Sequence, residues 1–396
     1  MNMQNVLAGI LSALMACTGG AILVIKCAEM IGLNRSELIS WIFVVYFVGG
    51  VFNIALSLKY KIPFGGAHSI TAVAFLSTVA ANFSVNELSG SFIMTGGLII
   101  IFGFSGLFNK VLTFIPKPMI DAMLAGLILN YVVHIVPAFK ESPLVGGLAI
   151  LGFFIGPRIS KWISPLLGVL IFGVLGLFIG YDFPIVQETE FSLPQLVMPA
   201  FTLNSFITIA IPLAVLILSN DIAVALAALK KNGYHPPVNK TLVFSGLGTL
   251  IVGLFGGHAV NIGGMMTALC SSDEAGPKEK RLVAALVSGG LVALFGLFAW
   301  KMIVIIELLP SSFITLLSGF ALLGVLLNSL RSSFSEPSYQ LSILFVFVIA
   351  ISNLSFLGIS APVWSLLVGV ISAKLLGEGK FSKEKLKEDQ AQTKKI

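Results

Sequence analysis

Phe255-Gly256-Gly257-His258-Ala259-Val260-Asn261 interrupts an apolar run in the second half of the chain, and Pro63-Phe64-Gly65-Gly66-Ala67-His68-Ser69 interrupts one in the first. Glycine pairs beside a histidine do not continue a lipid-facing helix. Non-helical backbone at membrane depth is tolerated only where it is buried in protein or lines a cavity. Each break is followed by an apolar stretch long enough for a half-helix, whose free N–H groups and positive dipole end face the break. Two such ends converging near the midplane make a cradle for an anion such as a carboxylate. Glycine lets a ligand approach the backbone closely. The competing reading is that the glycines serve tight helix packing. A pair of glycine pairs, each with a histidine, favours the binding site.

The breaks belong to a longer repetition. Gly96-Gly97-Leu98 followed by Phe102-Gly103 recurs nearly half the chain later as Gly289-Gly290-Leu291 followed by Phe295-Gly296. Ile115-Pro116 and Gly126 find counterparts in Leu309-Pro310 and Gly319, in the same order. A repeat with an odd number of spans must be inverted in the membrane, which is a hallmark of secondary transporters.

Composition supports spans. The 396 residues are 57% hydrophobic and only 11% charged, with mean hydropathy +1.00. A soluble domain carries about 25% charged residues, so the apolar surface must face lipid. Apolar runs separated by breakers fall at 6–25, 38–58, 62–80, 88–109, 118–136, 143–157, 163–180, 204–229, 239–255, 257–271, 282–300, 311–330, 338–356 and 358–376. These predict an all-α polytopic membrane protein of about 14 transmembrane spans, in two inverted seven-span repeats, with two short broken spans. The first repeat covers 1–200 and the second 201–376, with a basic cytoplasmic tail over 377–396.

Charge placement gives the orientation. With the N-terminus inside, Lys26, Arg35, Lys140 and Lys301 face outward and every other Lys and Arg faces the cytoplasm. Both termini are then cytoplasmic, and the host membrane is a bacterial inner membrane. The N-terminus has no Lys or Arg ahead of the first apolar run, so 6–25 reads as a retained span and not a secretory signal. The tail lysines suit anionic membrane lipid and not nucleic acid. Cys17, Cys27 and Cys270 are scattered, without CxxC, and support neither a disulfide framework nor a metal site. No nucleotide-binding or hydrolase signature is present. The chain therefore reads as a transporter without cofactors or metal, driven by an ion gradient or by its solute's own gradient, and not as an enzyme.

Within span 204–229, Ser219-Asn220-Asp221 is the polar exception. A carboxylate there is costly unless it is paired or protonated, which suits a solute site or a proton carrier. His68 and His258 are half of the four histidines and can contact a bound anion or relay a proton. The candidate solute-binding residues are Gly65, Gly66, His68, Ser69, Asn220, Gly256, Gly257, His258 and Asn261. The candidate proton-coupling residues are Asp221 and His258. Asp121 reads as a helix-start carboxylate and Glu307 as interfacial.

These motifs resemble the benzoate:proton symporter (BenE) family over nearly the whole chain. The resemblance is carried by Phe255–Asn261, by Ile115-Pro116-Lys117-Pro118 with Leu124-Ala125-Gly126, by Leu309-Pro310 with Gly319 and Ala321-Leu322-Leu323-Gly324, and by Leu357-Gly358-Ile359 with Trp364 and Gly369. It implies proton-coupled uptake of aromatic carboxylates such as benzoate. It also implies the core-and-gate architecture shared with nucleobase and sulfate transporters, with one bundle moving against the other and, by analogy, a homodimer. In that architecture the third and tenth spans flank the solute and the eighth adds polar side chains, which here are the two breaks and Ser219–Asp221. The family usually shows Gln-Asn followed by Pro-Gly in the eighth span, whereas this chain has Asn220-Asp221 and no Pro-Gly. The added carboxylate either repels an anion or carries the coupled proton. The rival expectation is a nucleobase or other uncharged solute on the same fold, hydrogen-bonded by Asp221.

Overall fold

The computed structural model describes residues 3–106, 108, 116–160, 163–184, 191–335, 337–352, 354–356 and 359–378. Most of the predicted tail therefore lies outside the described residues. Helix dominates what is described. The one strand pairing among these residues is a two-residue antiparallel contact, Ser355–Phe356 with Ile359–Ser360.

In the first half, α1 runs over 3–31 and contains a π segment, Ala16–Gly20. It is followed by α2 (Arg35–Tyr60), α3 (Ile70–Val79), α4 (Val85–Ser105), α5 (Lys117–Glu141), α6 (Pro143–Ile159) and α7 (Pro165–Gly180). In the second half come α8 (Leu203–Lys231), α9 (Val238–Gly253), α10 (Gly264–Ser271), α11 (Arg281–Leu297), α12 (Ser311–Phe334), α13 (Gln340–Ser352) and α14 (Ala361–Leu375). A short helix, Ala299–Glu307, follows α11. Among the described residues six helical stretches are long and apolar enough to cross a membrane, and seven further apolar helices are shorter.

Local chemistry sets the boundaries. Gly32 ends α1 in the left-handed region at φ 76°, where glycine carries no Cβ penalty. Asn34 then opens α2 with a capping box. Its side chain accepts the Glu37 N–H at 3.0 Å, and the Glu37 carboxylate accepts the Asn34 N–H at 2.8 Å. Ser84 and Glu87 do the same for α4. The two broken spans differ from the sequence expectation in where helix begins. The runs 62–80 and 257–271 are helical only from Ile70 and from Gly264. Ser69 and Gly263 are extended N-cap residues, so the glycine-rich halves ahead of them stay non-helical.

The chain divides into two compact units, one of 1–108 with 131–322 and one of 109–130 with 323–396. Their boundaries fall inside α5 and α12. In the second unit Asp121 is buried on α5. It accepts from Lys117 Nζ at 2.8 and 3.0 Å and from the Ser332 hydroxyl of α12. The structural role expected of this carboxylate is thus filled by an ion pair and a hydroxyl. On α14, Gly369 leaves room for Val346 of α13.

In the first unit two helix crossings are made by corresponding glycines. A Cβ on Gly96 of α4 would lie 2.7 Å from the Gly246 carbonyl oxygen of α9. A Cβ on Gly50 of α2 would lie 2.5 Å from the Gly289 carbonyl oxygen of α11. Two turns further on, Gly103 meets the backbone of Val243, and its repeat counterpart Gly296 meets the backbone of Phe47. Gly97 and Gly290, the second member of each Gly-Gly pair, face open space. At these positions Gly96 and Gly289, and Gly103 and Gly296, take matching places in the packing.

Candidate functional site

The site lies wholly in the first unit, where the two breaks meet. They run antiparallel through two backbone bonds, Asn261 N–H to Ala67 O at 3.1 Å and Gly263 N–H to Gly65 O at 2.8 Å. Thr267 of α10 reaches back to Gly65. Its hydroxyl donates to the Gly65 carbonyl at 2.7 Å and accepts the Gly65 N–H at 3.2 Å. A Cβ on Gly66 would collide with the Asn261 carbonyl oxygen, and one on Gly65 would sit 2.7 Å from the Met266 backbone. These two glycines let one break cross the other. Gly256, at φ 78°, and Gly257 form a turn with Gly253 and Val252, so their N–H groups are committed as well. The cradle expected from free glycine N–H groups is in large part a backbone junction.

Polar side chains ring that junction. Asp221 sits on a π segment of α8, Ile217–Ile222, and is 8% exposed. A π segment displaces side chains from the regular helical register and recurs at functional positions. The Asp221 carboxylate accepts from the Ser69 hydroxyl and, at 3.4 Å, from the Thr71 hydroxyl. Ser69 Oγ also accepts the Ala72 N–H at 3.0 Å and so caps α3. The carboxylate of α8 thus lies at the positive end of α3, which stabilises both. The corresponding cap of α10 is Gly263, which has no side chain to offer.

Several buried polar atoms at the junction lack a partner. They are both amide atoms of Asn261, the Asn220 Nδ2, the Asn53 Oδ1 and the His68 Nδ1. Buried polar atoms are nearly always hydrogen-bonded, so a cluster of orphans around one carboxylate marks a place that a polar ligand completes.

The two histidines lie against each other, ring centroids 5.0 Å apart. His258 Nδ1 accepts from the Trp41 indole N–H at 2.9 Å, and its Nε2 is 3.2 Å from the Ser69 carbonyl oxygen. His68 Nε2 is 2.8 Å from the Tyr46 hydroxyl, which donates to the Ala16 carbonyl at 2.9 Å. A Cβ on Gly20 would meet both His68 Nε2 and the Tyr46 oxygen within 3 Å, so α1 approaches this pair with bare backbone.

Beside Trp41 lies a cavity of about 240 Å³, lined by Glu37, Asn86, Gln195, Phe255 and Gly256 among others. An extended strap from the connection between the halves closes one side of it. Gln195 N–H bonds Ser40 Oγ at 3.0 Å, Val197 N–H bonds Leu254 O at 2.8 Å, and Ala200 N–H bonds Asn86 O at 2.8 Å. Phe64, by contrast, is fully buried.

All the singled-out residues from Gly65 to Ser69, from Asn220 to Asp221 and from Gly256 to Asn261 belong to this one junction or its rim. Sequence reasoning missed Trp41, Tyr46, Asn53, Thr71 and Thr267. Asn53 and Tyr46 are polar residues inside an apolar run, which is a readable signal. Among the described residues no cluster of His, Cys, Asp and Glu is arranged to hold a metal ion.

Comparison with known proteins gives the family and the fold. The family model BenE, described as benzoate membrane transport protein, matches residues 1–375. The benzoate membrane transport protein of Acinetobacter baylyi is 28% identical over 383 residues, 96% of this chain and 97% of that one. The inner membrane protein YdcO of Escherichia coli K12 is 29% identical over 370 residues, 92% of this chain and 94% of that one. In fold, the chain is similar to the transmembrane domain of the cyanobacterial bicarbonate transporter BicA, with TM-score 0.62, 18% identity and coverage of 94% and 97%. It is also similar to SLC26A9, with TM-score 0.61, 14% identity and coverage of 93% and 64%. With its family model matched along almost its full length, this multi-pass membrane protein belongs to the benzoate membrane transport protein family, a family of transporters and not of enzymes.

Proposed function

We propose that the protein is a secondary active transporter that carries a small aromatic carboxylate, such as benzoate, together with protons across a bacterial inner membrane. The observation that carries this reading is the ring of unpartnered polar atoms on His68, Asn220 and Asn261 around the buried Asp221 carboxylate. A carboxylate entering there completes the Asn220 and Asn261 amide donors and lies near the uncapped start of α10, whose dipole favours an anion. Asp221 would repel that anion unless a proton enters too. A proton on Asp221 or on a histidine of the breaks removes the repulsion, and this ties solute to proton. About fourteen spans, as two inverted repeats, give the paired breaks a common depth in the membrane, and the matching glycine crossings support that arrangement. Both termini then lie in the cytoplasm.

A second reading has its own support. The orphaned Asn261 amide offers a donor and an acceptor together, which also suits an uncharged solute such as a nucleobase.

Uptake of radiolabelled benzoate into proteoliposomes, with and without an inward proton gradient, separates the two. The expected result is saturable uptake that rises with the gradient. In Asp221→Asn the gradient should lose its effect while benzoate exchange at equal pH persists. Accumulation of uracil with no benzoate uptake would select the second reading, and no accumulation of either would remove both.

A further inference from the structure

Hydrogen-bond bookkeeping fixes which ring nitrogens carry protons. The Trp41 indole nitrogen can only donate, so His258 Nδ1, 2.9 Å away, is an acceptor and bears no proton. The other nitrogen, Nε2, faces the Ser69 carbonyl, which can only accept, and therefore carries the hydrogen. His258 is neutral with both nitrogens engaged, and it has no lone pair to give to a proton or a ligand. For His68 the count comes out differently. With the single Tyr46 hydroxyl proton given to the Ala16 carbonyl, His68 Nε2 is left as the donor at the 2.8 Å contact. Its Nδ1 is then an unprotonated acceptor, buried and without a partner. The other titratable groups around the ring are Tyr46 of α2, Cys17 of α1 beside it, His258 of the second break, and Asp221 of α8 beyond Ser69.

We infer that His68, through Nδ1, is the histidine that holds the proton shared with the solute, and that His258 is a positioning residue. The inference rests on the reading of the junction as the solute site. A carboxylate and one proton arriving together place that proton between a carboxyl oxygen and His68 Nδ1. Written as acid and imidazole or as carboxylate and imidazolium, the pair holds the same atoms and charge. His258 acts at a distance: Trp41 fixes its ring, and its Nε2–H holds the Ser69 carbonyl, so Ser69 keeps its hydroxyl on Asp221. Sequence pattern makes the two histidines equivalent, and their partners make them different.

Nitrogen-15 NMR of the reconstituted full chain, labelled at histidine, reads this directly. His134→Asn and His235→Asn simplify the spectrum, and His68→Asn and His258→Asn assign the two remaining rings. Without ligand, both rings should show a protonated Nε2, with a free lone pair at His68 Nδ1 and a hydrogen-bonded one at His258 Nδ1. Benzoate, with its binding followed by calorimetry on the same preparation, should shift His68 Nδ1 and leave His258 in place. Benzoate that binds and shifts His258, or that leaves His68 unmoved, overturns the inference. If benzoate does not bind, the solute reading fails separately, and the ligand-free spectrum still decides: a free lone pair on His258, or a bonded one on His68, overturns the assignment. In transport, His68→Gln keeps the Tyr46 contact and loses the Nδ1 acceptor, so proton-driven benzoate uptake should fall about tenfold or more. His258→Asn keeps an acceptor for Trp41 and should retain the wild-type pH profile at a reduced rate. A pH profile displaced in His258→Asn and unchanged in His68→Gln would reverse the two roles.

Discussion

Ser69 Oγ accepts the Ala72 N–H that caps α3, while its hydroxyl proton goes to the Asp221 carboxylate and its carbonyl receives the His258 N–H. Removing the hydroxyl leaves a helix start uncapped and a buried carboxylate with one donor fewer. A lost cap costs about 1 kcal/mol, and an under-satisfied buried charge adds about 1–3 kcal/mol. Ser69→Ala should therefore lower thermal stability in detergent and reduce initial uptake further than its folded fraction explains. Ser69→Thr keeps the oxygen and should restore both. Wild-type uptake per folded molecule in Ser69→Ala would show that Asp221 does not depend on this contact. Of the residues in the site, those in the glycine breaks and Asn220-Asp221 are legible in the sequence, because a polar group in an apolar run demands a reason. Trp41 is not legible in the same way. It is an aromatic residue in a chain with 31 phenylalanines, and only its contact with His258 separates it from lipid-facing bulk.

The helices themselves follow from the apolar runs, and their crossings follow from the repeated glycines. In the repeated pairs Gly96-Gly97 and Gly289-Gly290 the first glycine touches another backbone and the second faces open space. Gly96→Val and Gly289→Val push a side chain into a facing carbonyl or backbone, and overpacking of that kind costs about 1–3 kcal/mol or more. Both should lose folded yield to a similar degree, measured by monodisperse recovery on gel filtration. Gly97→Ala and Gly290→Ala should be neutral or slightly stabilising, by about 0.5–1 kcal/mol, because alanine is the better helix former. A large loss in only one of the two valine variants would argue against equivalent crossings. The π segments in α1, α2 and α8 were not legible. One extra residue per turn leaves no mark on composition or hydropathy, yet it sets where Tyr46, Asn220 and Asp221 point.

For the whole molecule, the sequence carries two kinds of order at once. Glycine crossings join α4 with α9 and α2 with α11, bringing the two halves of the sequence together, whereas the compact units cut the chain inside α5 and α12. Hydropathy reveals the first and not the second, because unit boundaries depend on contacts between residues far apart in the chain. Orientation is a separate claim that rests on lysine and arginine placement. A reporter that is active only in the cytoplasm, fused after residue 378, should be active, and one that works only outside the membrane should be silent. The opposite pattern would require either an odd number of spans or an N-terminus outside the cytoplasm.

The strap from Gln195 to Ala200 also sets a clock. Each of its three hydrogen bonds contributes about 1 kcal/mol net, so lifting all three slows an opening by roughly a hundredfold relative to an untethered loop. Free loops move in about nanoseconds to microseconds. A tethered one opens in up to about a tenth of a millisecond, which falls among the collective motions of domains. That side of the cavity beside Trp41 would then open in step with slow rearrangements of the protein and not with the motion of a free loop.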